Sequence, residues 1–574
     1  MDNQRLLIWA FFGLMAWMTY QTWVADYAPK PEPTQAGTTE LSPAQGATPG
    51  LEAGGQDDLP EISGPTDTTA PPAISGDAPE AAVDAGVPTI RVTTDVLDID
   101  ISTRGGTLQK AAILKYPVAK DRPDTVIEML STDPARLGLI ESGVRATAGA
   151  PEATHLSVFE STRNLYELGD ANDMLVVLTW RDPSGITMEK RYRFERGSYV
   201  IGLEQVVTNG SNETWRGAEY ARIKRYSRAQ ERSMFDVDSY SFAGPIIYNG
   251  EKSEKLKRDD LLDDGKYTYV SSAGWFGAIQ HHFVTAVVPP KGDDYKYEVS
   301  VRGDVSTSSL IGTRVRTIPS GGSETFKTTL FVGPKLQAQL EQIDETLKLT
   351  VDYGWLTILS QPLFWLLSFV YGFVANWGVA IIIVTFLIKL VFYKLTESSG
   401  RSMAKMRNLQ PRMKALQDRY KDDRQALSQA MMDLYKREKV NPAAGCLPIL
   451  IQMPFFLAFY WVLLESVEMR QAPFALWITD LSTRDPYFIL PLIMGAAMFM
   501  QQKLNPAPAD PVQAKVMQIM PIMFTVFFAF FPSGLVLYWV TNTLLSIAQQ
   551  WKINRVVEAE AKQKKSGKKK QKAD

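Results

Sequence analysis

The sequence predicts a multi-domain membrane protein that combines an α-helical transmembrane bundle with a large antiparallel β-sandwich and a helical hairpin. Three observations lead to this fold class. Apolar runs of helical length fill the C-terminal third, short alternating stretches with turn signals fill residues 89–350, and a cation-rich polar segment separates two of the apolar runs. The mean hydropathy of -0.12 hides this division, because it averages a polar domain with an apolar one.

The chain is expected to begin with an anchor and a tether. Residues 1–24 hold a polar tip and the apolar run Leu6 to Val24, which contains three tryptophans and Tyr20. We favour an uncleaved transmembrane anchor over a cleaved signal peptide, because no small-x-small cleavage site is evident and interfacial aromatics suit a span. Residues 25–88 carry almost no large apolar side chains, which predicts a disordered periplasmic tether.

Residues 89–350 predict a large periplasmic domain that is an antiparallel β-sandwich. Period-two alternation is found in Leu97–Ile101, Ile186–Phe194, Tyr199–Val207, Lys296–Val301 and Phe326–Val332. Turn residues lie at 104–106 and 209–210, and 336–349 predicts a closing helix. Since Cys446 is the one cysteine, no intrachain disulfide can form and the domain must be stabilised by its own core.

The C-terminal part predicts an interfacial amphipathic helix, residues 351–375, followed by a helical core, residues 376–550. Pro362 favours a helix lying in the interface over a span. Five spans are expected after it, at Trp377–Tyr393, Leu447–Leu464, Tyr487–Met500, Met517–Phe531 and Leu535–Ala548. Some are short for a hydrocarbon core of about 30 Å, so either their flanks extend them or the bilayer is thinned locally. The tight turn at 532–534 makes the last two spans antiparallel neighbours.

The distribution of Lys and Arg orients these spans across the membrane. Residues 395–441 hold eleven Lys and Arg, residues 551–574 hold nine, and residues 465–485 hold two. Because positive loops stay in the cytoplasm, both termini are expected there. The basic cytoplasmic tail, residues 551–574, would suit anionic lipid, RNA or a purely topogenic role.

Residues 396–441 predict a cytoplasmic helical hairpin. One apolar stripe contains Met406, Leu409, Met413, Leu416 and Tyr420, and a second contains Leu427, Met431 and Leu434. The hairpin could be a stabilising lid. We favour a docking surface in which Met406, Met413 and Met431 meet varied apolar partners, because methionine side chains adapt to different shapes.

Lys389 lies inside an apolar run, where an ionised group costs about 2.5–3.5 kcal/mol. It could reach water near Lys394, or it could face a wet, protein-lined site. Thr385 precedes it by one helical turn and shares its face. Gln452 and Asn542 add polar groups on two other spans, where they would either face the same cavity or form interhelical hydrogen bonds.

No motif for covalent chemistry or a cofactor is evident. Three histidines and one cysteine do not form a zinc pattern, and there is no glycine-rich phosphate loop and no Gly-x-Ser-x-Gly elbow. His281 and His282 follow a strand without an identifiable acid partner, so we do not expect them to be catalytic.

Several motifs together resemble the YidC/Oxa/Alb family of membrane protein insertases, in its Gram-negative type with a large periplasmic domain. They are Met403–Met406, Lys439–Pro442, Gly445–Pro448, Ile451–Pro454, Arg470–Phe474, Asp485–Tyr487 and Phe531–Leu535. The resemblance implies a non-enzymatic insertase and chaperone that works through a hydrophilic intramembrane groove. It implies nascent membrane proteins and the lipid bilayer as partners, the Sec translocon beside them, and the ribosome and the signal-recognition-particle receptor as further candidates. No cofactor and no DNA are implied.

The same resemblance assigns the groove. Its central charge, usually an arginine, falls on Lys389, and Thr385, Gln452, Tyr538 and Trp539 match positions that line or flank it. Lysine can lose its proton when desolvated whereas arginine cannot, so a functional Lys389 requires a wet groove. Lys394 stands where the family commonly has proline.

Two other classes of function remain open from the sequence. A tethered periplasmic carbohydrate enzyme would fit a β-domain that resembles the galactose mutarotase supersandwich, although fold alone does not carry function. A solute transporter or channel would need a continuous path or repeated halves, which the spans do not suggest.

Overall fold

A computed structural model describes residues 87–570 except 121, 148, 228–240, 421–422, 439, 441–446 and 505–510. The expected anchor, nearly all of the expected tether and the last four residues of the tail lie outside the described residues. The described chain forms a β-sandwich followed by a group of helices.

The β-sandwich consists of two sheets. The strands are β1 Thr89–Thr93, β2 Leu97–Ser102, β3 Leu108–Ala119, β4 Arg122–Leu130, β5 Gly138–Ala146, β6 Glu160–Ser161, β7 Leu165–Glu167, β8 Asp173–Arg181, β9 Ile186–Glu195, β10 Val200–Asn209, β11 Trp215–Tyr226, β12 Gly244–Tyr248, β13 Ser253–Lys255, β14 Lys266–Ser271, β15 Trp275–Gln280, β16 Phe283–Val288, β17 Tyr295–Arg302, β18 Val305–Gly312, β19 Arg316–Ile318 and β20 Ser323–Pro334. One sheet has the order β14-β17-β18-β11-β5-β3-β2-β1-β7, with β19 beside β11 and β4 beside β3; the other has the order β13-β12-β15-β16-β20-β10-β9-β8-β6.

The pairing is antiparallel apart from β1 with β7. Alternation explains the layering, because successive side chains of a strand point to opposite faces. In β9 each second residue from Ile186 to Phe194 is buried, and β10 pairs with it from Ile201↔Phe194 to Asn209↔Ile186. The buried faces of both sheets form one apolar core. The predicted β-sandwich is therefore confirmed.

The turn and helix predictions in this domain hold with small shifts. Gly105 and Gly106 have φ of 71° and 62°, the left-handed region that glycine adopts without strain. The closing helix is shorter than expected, since Gln337–Ile343 is α-helical and Leu347–Thr350 forms a separate 3₁₀ turn. Asp344 ends the first of these with an extended backbone.

Ten α-helices lie in the described part. They are α1 Arg258–Asp264, α2 Gln337–Ile343, α3 Thr357–Val374, α4 Trp377–Val391, α5 Tyr393–Arg419, α6 Arg424–Arg437, α7 Leu447–Glu465, α8 Ile489–Leu504, α9 Pro511–Phe528 and α10 Ser533–Lys570. Helices α3, α4 and α7 to α10 share a second apolar core with the loop between α7 and α8. Helix α8 packs against both α9 and α10, and the latter two also touch through Trp539.

By helix length and composition alone, the described residues contain fewer candidate membrane spans than the five expected from the sequence. One helix, Gly354–Val374, is long and apolar enough to cross a membrane, and the pair Trp377–Val391 and Tyr393–Arg419, bent by 69°, raises the number to two. Shorter apolar helices cover Ile451–Glu465, Ile489–Leu504 and Lys515–Phe528. Pro362 lies inside the continuous helix α3. The interfacial position of that helix and the five spans stay predictions.

The region of the predicted hairpin contains two packed helices. Leu409, Met413, Leu434 and Val440 form a small apolar core between α5 and α6. Helix α5 begins at Tyr393, earlier than the polar segment alone suggested, and Asp423 caps α6 by accepting from the backbone N–H of Gln425 and Ala426.

Most of the predicted basic tail, residues 551–570, is the continuation of a long helix. Helix α10 continues without a break from Ser533 to Lys570. Ile553 and Val557 pack on Ala404 of α5, and Arg401 of α5 donates 3.1 Å to Glu560. These contacts hold this stretch of α10 against α5.

The β-sandwich rests directly on the helical part. Ser241 Oγ donates 2.9 Å to Glu465 Oε1 at the end of α7, and the Nε2 atoms of His281 and His282 each lie 3.0 Å from the Leu464 carbonyl. These two histidines therefore join the domains, which is a structural role that the sequence did not reveal.

Candidate functional site

Lys389 lies in the last turn of α4 and is directed at α10. Its Nζ donates 2.8 Å to Ser546 Oγ, and Ser546 in turn donates 2.7 Å to the Asn542 carbonyl one turn earlier in α10. The side chain is half-buried. A lysine that escaped along its own helix to water would not need this partner, so the contact favours a position between helices.

Thr385 shares the Lys389 face but not its hydrogen bond. Its side chain is 1% exposed, and its Oγ1 donates 2.6 Å to the Ile381 carbonyl of its own helix. This i to i−4 bond satisfies the hydroxyl locally. Thr385 therefore lies above Lys389 as a buried neighbour and is not bonded to it.

Gln452 of α7 forms a second polar contact nearby. Its Nε2 donates 3.4 Å to Thr396 Oγ1 near the start of α5. Gln549 of α10 donates 3.3 Å to the Tyr393 carbonyl at the same end of α5. Polar groups from four helices thus meet around the junction of α4 and α5. We call this set, Lys389, Asn542, Ser546, Gln452, Thr396 and Gln549, the polar seam.

Sequence reasoning missed three members of the polar seam: Thr396, Ser546 and Gln549. A signal for two of them was present, because Asn542, Ser546 and Gln549 follow one another at four- and three-residue spacing and so share one helical face. Thr396 carried no comparable signal, since it lies in the polar segment where hydroxyl side chains are ordinary.

Tyr538 and Trp539 lie toward the start of α10, where they form an aromatic wall. Tyr538 stacks on Phe456 at 5.8 Å between ring centroids and contacts Phe459 at 4.8 Å. Trp539 meets Phe456 edge to face at 4.7 Å and Phe528 at 4.9 Å. Because Tyr538 is only 6% exposed, this wall packs α7, α9 and α10 together beyond the polar seam.

The three methionines expected at a docking surface lie at the contact between α5 and α6, with Met413 buried and Met406 and Met431 half-buried. Met413 is 7% exposed, and Met406 and Met431 pack against the small apolar core that contains it. Contact of Met413 with an outside partner would require the two helices to separate. A docking role stays a prediction with that condition attached.

The β-sandwich contains a buried network that the sequence did not reveal. Arg222 is paired with Glu141, and its Nη2 lies 2.7 Å from His155 Nε2. Since arginine can only donate, Nε2 accepts and Nδ1 donates to Tyr220 OH, 2.7 Å away. Burial lowers the pKa of His155 to about 4, so the ring is neutral at pH 7. With Arg222 2% exposed, the network is shut off from any substrate.

Metal-ligand clusters are not found in the described part of the chain: no group of three or more His, Cys, Asp or Glu side chains is placed to hold an ion. The polar seam also offers no carboxylate. Its described groups can solvate polar or charged segments and can exchange hydrogen bonds.

Comparison with known proteins assigns both domains. Residues 89–366 match the family model described as the YidC periplasmic domain, and residues 369–562 match the 60Kd inner membrane protein family model. The membrane protein insertase YidC of Nitrosococcus oceani is 45% identical over 570 residues, which covers 98% of this chain and 100% of the relative. That of Methylococcus capsulatus is 45% identical over 563 residues, which covers 97% and 99%.

A solved structure described as an active YidC insertase with its first transmembrane domain resolved is 17% identical and covers 81% of this chain and 94% of its own. Its TM-score of 0.37 is too low to support an argument about this fold. The sequence relatives carry the assignment, because they are similar over nearly the full length of both chains. The chain therefore belongs to the YidC family of membrane protein insertases.

Proposed function

We propose that this chain inserts nascent membrane proteins into the bacterial inner membrane and helps them fold, with the polar seam as the floor of a hydrophilic groove. The contact that carries this proposal is the 2.8 Å hydrogen bond from Lys389 to Ser546, because it holds a cation between two apolar helices. No bond is made or broken in this activity, in line with the insertase family to which the chain belongs.

Solvation supplies the mechanism. A polar or acidic segment of the substrate would exchange water for the seam's donors, which shortens its passage through hydrocarbon. The apolar segment beside it would then partition sideways into lipid, driven by the hydrophobic effect, and the membrane potential would assist charged segments. The aromatic wall of Tyr538 and Trp539 would close the seam toward the far end of the groove.

The surrounding organisation belongs to the same proposal. Both termini and the α5–α6 hairpin would lie in the cytoplasm, the β-sandwich in the periplasm, and five spans would follow the interfacial helix. The Lys- and Arg-rich segments at residues 395–441 and 551–574 support this orientation. The Sec translocon, the ribosome and the signal-recognition-particle receptor would be partners on these surfaces.

Insertion of a single-span substrate into proteoliposomes tests the role of Lys389. Lys389→Arg should retain insertion, whereas Lys389→Ala and Lys389→Glu should slow it roughly tenfold, the equivalent of one lost charge-assisted hydrogen bond. Lys503→Ala is the matched control, since Lys503 lies in the last turn of α8 and is exposed. Equal insertion by all the variants would contradict a groove built around this charge.

Ser546→Ala separates a groove from a simple interhelical bond. It removes the oxygen that Lys389 contacts and keeps the cation. If Lys389 only links α4 to α10, Ser546→Ala and Lys389→Ala should lower thermal stability alike and slow insertion alike. If the cation serves the substrate, Ser546→Ala should insert far better than Lys389→Ala.

A further inference from the structure

A cleft of about 1380 Å³ lies between the β-sandwich and the loop that joins α7 to α8. The β-sandwich contributes the end of β3, the start of β4 and the β15–β16 turn. The helical part contributes residues 470–471 and 478–488. The cleft is separate from the polar seam, and the insertase activity proposed above does not use it.

The described lining residues give this cleft a strong positive charge. Lys120, Arg122, Arg470 and Arg484 face one carboxylate, Asp480. None of the four cations forms an ion pair within the described part of the chain. Lys120 Nζ donates 2.6 Å to the Thr479 carbonyl, and Asp480 Oδ1 is occupied by the N–H and hydroxyl of Ser482. Charges of one sign in a cleft with low-dielectric walls attract an anion.

Contacts across the cleft join its β-sandwich side to its helical side. Arg470 donates 3.0 Å to the Val118 carbonyl, and its guanidinium lies 5.5 Å from the centre of the Phe283 ring. Gln471 donates 3.0 Å to the Pro117 carbonyl. Gln471 and Phe488 have φ of 58° and 57°, a left-handed conformation that costs a non-glycine residue about 1 kcal/mol or more. Such strain at two lining residues is typical of a binding site.

The position of the cleft indicates which anion it takes. Pro486 and Phe488 line it and directly precede the apolar helix α8. Phe488 is 40% exposed and lines the cleft, and its chain neighbour Tyr487 is 66% exposed, so large apolar side chains lie at the border of the basic residues. Apolar side chains at the border of the cleft could contact the acyl chains of a lipid, whereas the cations could bind its phosphate. A soluble anion or an acidic peptide would have no use for the apolar border.

We propose that this cleft binds the phosphate-bearing headgroup of an anionic phospholipid from the leaflet on the β-sandwich side. The bound lipid would bridge the β-sandwich and the helical part, since its phosphate would contact cations of both. It would thereby keep the β-sandwich seated on the membrane surface, beside the contacts that His281, His282 and Ser241 already make.

Photo-crosslinking of the full-length protein tests the site. The protein is placed in phosphatidylcholine nanodiscs that contain a phosphatidylglycerol with a photoreactive headgroup, and the labelled peptides are mapped by mass spectrometry. Label is expected on peptides covering residues 117–122 and 478–488. Arg122→Gln combined with Arg484→Gln should lower it about tenfold, because each exposed arginine contributes to attraction of an anionic lipid.

The control is Arg163→Gln combined with Arg181→Gln, two exposed arginines of the β-sandwich that do not line the cleft. It should keep the parent's labelling. Unlabelled phosphatidylglycerol should compete with the probe, whereas millimolar inorganic phosphate should not. Equal labelling of both double variants overturns the proposal. Competition by inorganic phosphate but not by unlabelled lipid overturns its lipid source.

Discussion

Lys190 offers a sharp test of the electrostatics of the β-sandwich. It occupies an inward position of β9, where its neighbours in the alternation are apolar, and it is 0% exposed. Its Nζ donates to the Gly105 carbonyl at 2.5 Å and to the carbonyl and hydroxyl of Ser142 at 2.7 and 2.8 Å. Burial lowers the pKa of Lys190 from 10.5 to about 7, although Glu141 opposes this.

The lowered pKa sets the sign and size of the effect. Between pH 7 and 10.5 the unfolded chain binds more protons at Lys190 than the folded chain, so the free energy of unfolding rises with pH in this window. The slope is about 1.4 kcal/mol per pH unit. Lys190→Met removes the titrating group and its slope. From pH 7 to pH 9.5, the parent should therefore gain about 3 kcal/mol relative to Lys190→Met.

Hydrogen-exchange mass spectrometry of the full chain in detergent measures this difference. Peptides that cover β9 are compared between parent and Lys190→Met at each pH, so the intrinsic exchange rates cancel. Lys327→Met in β20 is the control, because that lysine is largely exposed and should change stability by less than about 1 kcal/mol at every pH. Parallel curves for the parent and Lys190→Met would refute the reasoning.

Three further predictions concern the stability of the full chain in detergent, measured by thermal unfolding or hydrogen exchange. Glu141→Gln leaves its buried arginine partner without a counter-ion and should cost about 3 kcal/mol; an unchanged melting temperature would contradict this. Gly378→Ala would place a Cβ 2.1 Å from the Phe474 ring and should cost about 1–3 kcal/mol, whereas Gly372→Ala, with open space around it, should not destabilise. Burial raises the pKa of Glu468 to about 7, so the parent loses stability as pH rises from 4.5 through 7, and Glu468→Gln should be more stable than the parent by about 3 kcal/mol at pH 8.5; equal stability there would refute it.

The sequence predicted the structure best where the spacing of apolar residues marks one buried face of a strand or a helix. Alternation in β9 and β10 placed the β-sandwich because a strand with one buried face must repeat every second residue. The apolar stripes of α5 and α6 likewise identified the faces on which those two helices pack together. The same stripes could not say whether Met406 and Met413 face each other or a partner, since both arrangements produce the same pattern.

Sequence reasoning was weakest where the answer depends on residues far apart in the chain. His155, Arg222 and Glu141 lie on separate segments, and only the pairing of β5 with β11 places Glu141 beside Arg222. The basic cleft combines Arg122 with Arg484 across two domains. No spacing rule connects such positions, because packing of the β-sandwich on the helices creates the neighbourhood.

Lys389 shows both sides of this division. The sequence by itself determined that a cation lies inside an apolar helix, which makes it costly unless a partner or water is near. Only the tertiary structure decided the partner, since Ser546 stands 157 positions further along the chain and is brought within 2.8 Å by the packing of α4 on α10. The physical reason is that polarity is a property of a residue, whereas the cost of burying it is a property of its surroundings.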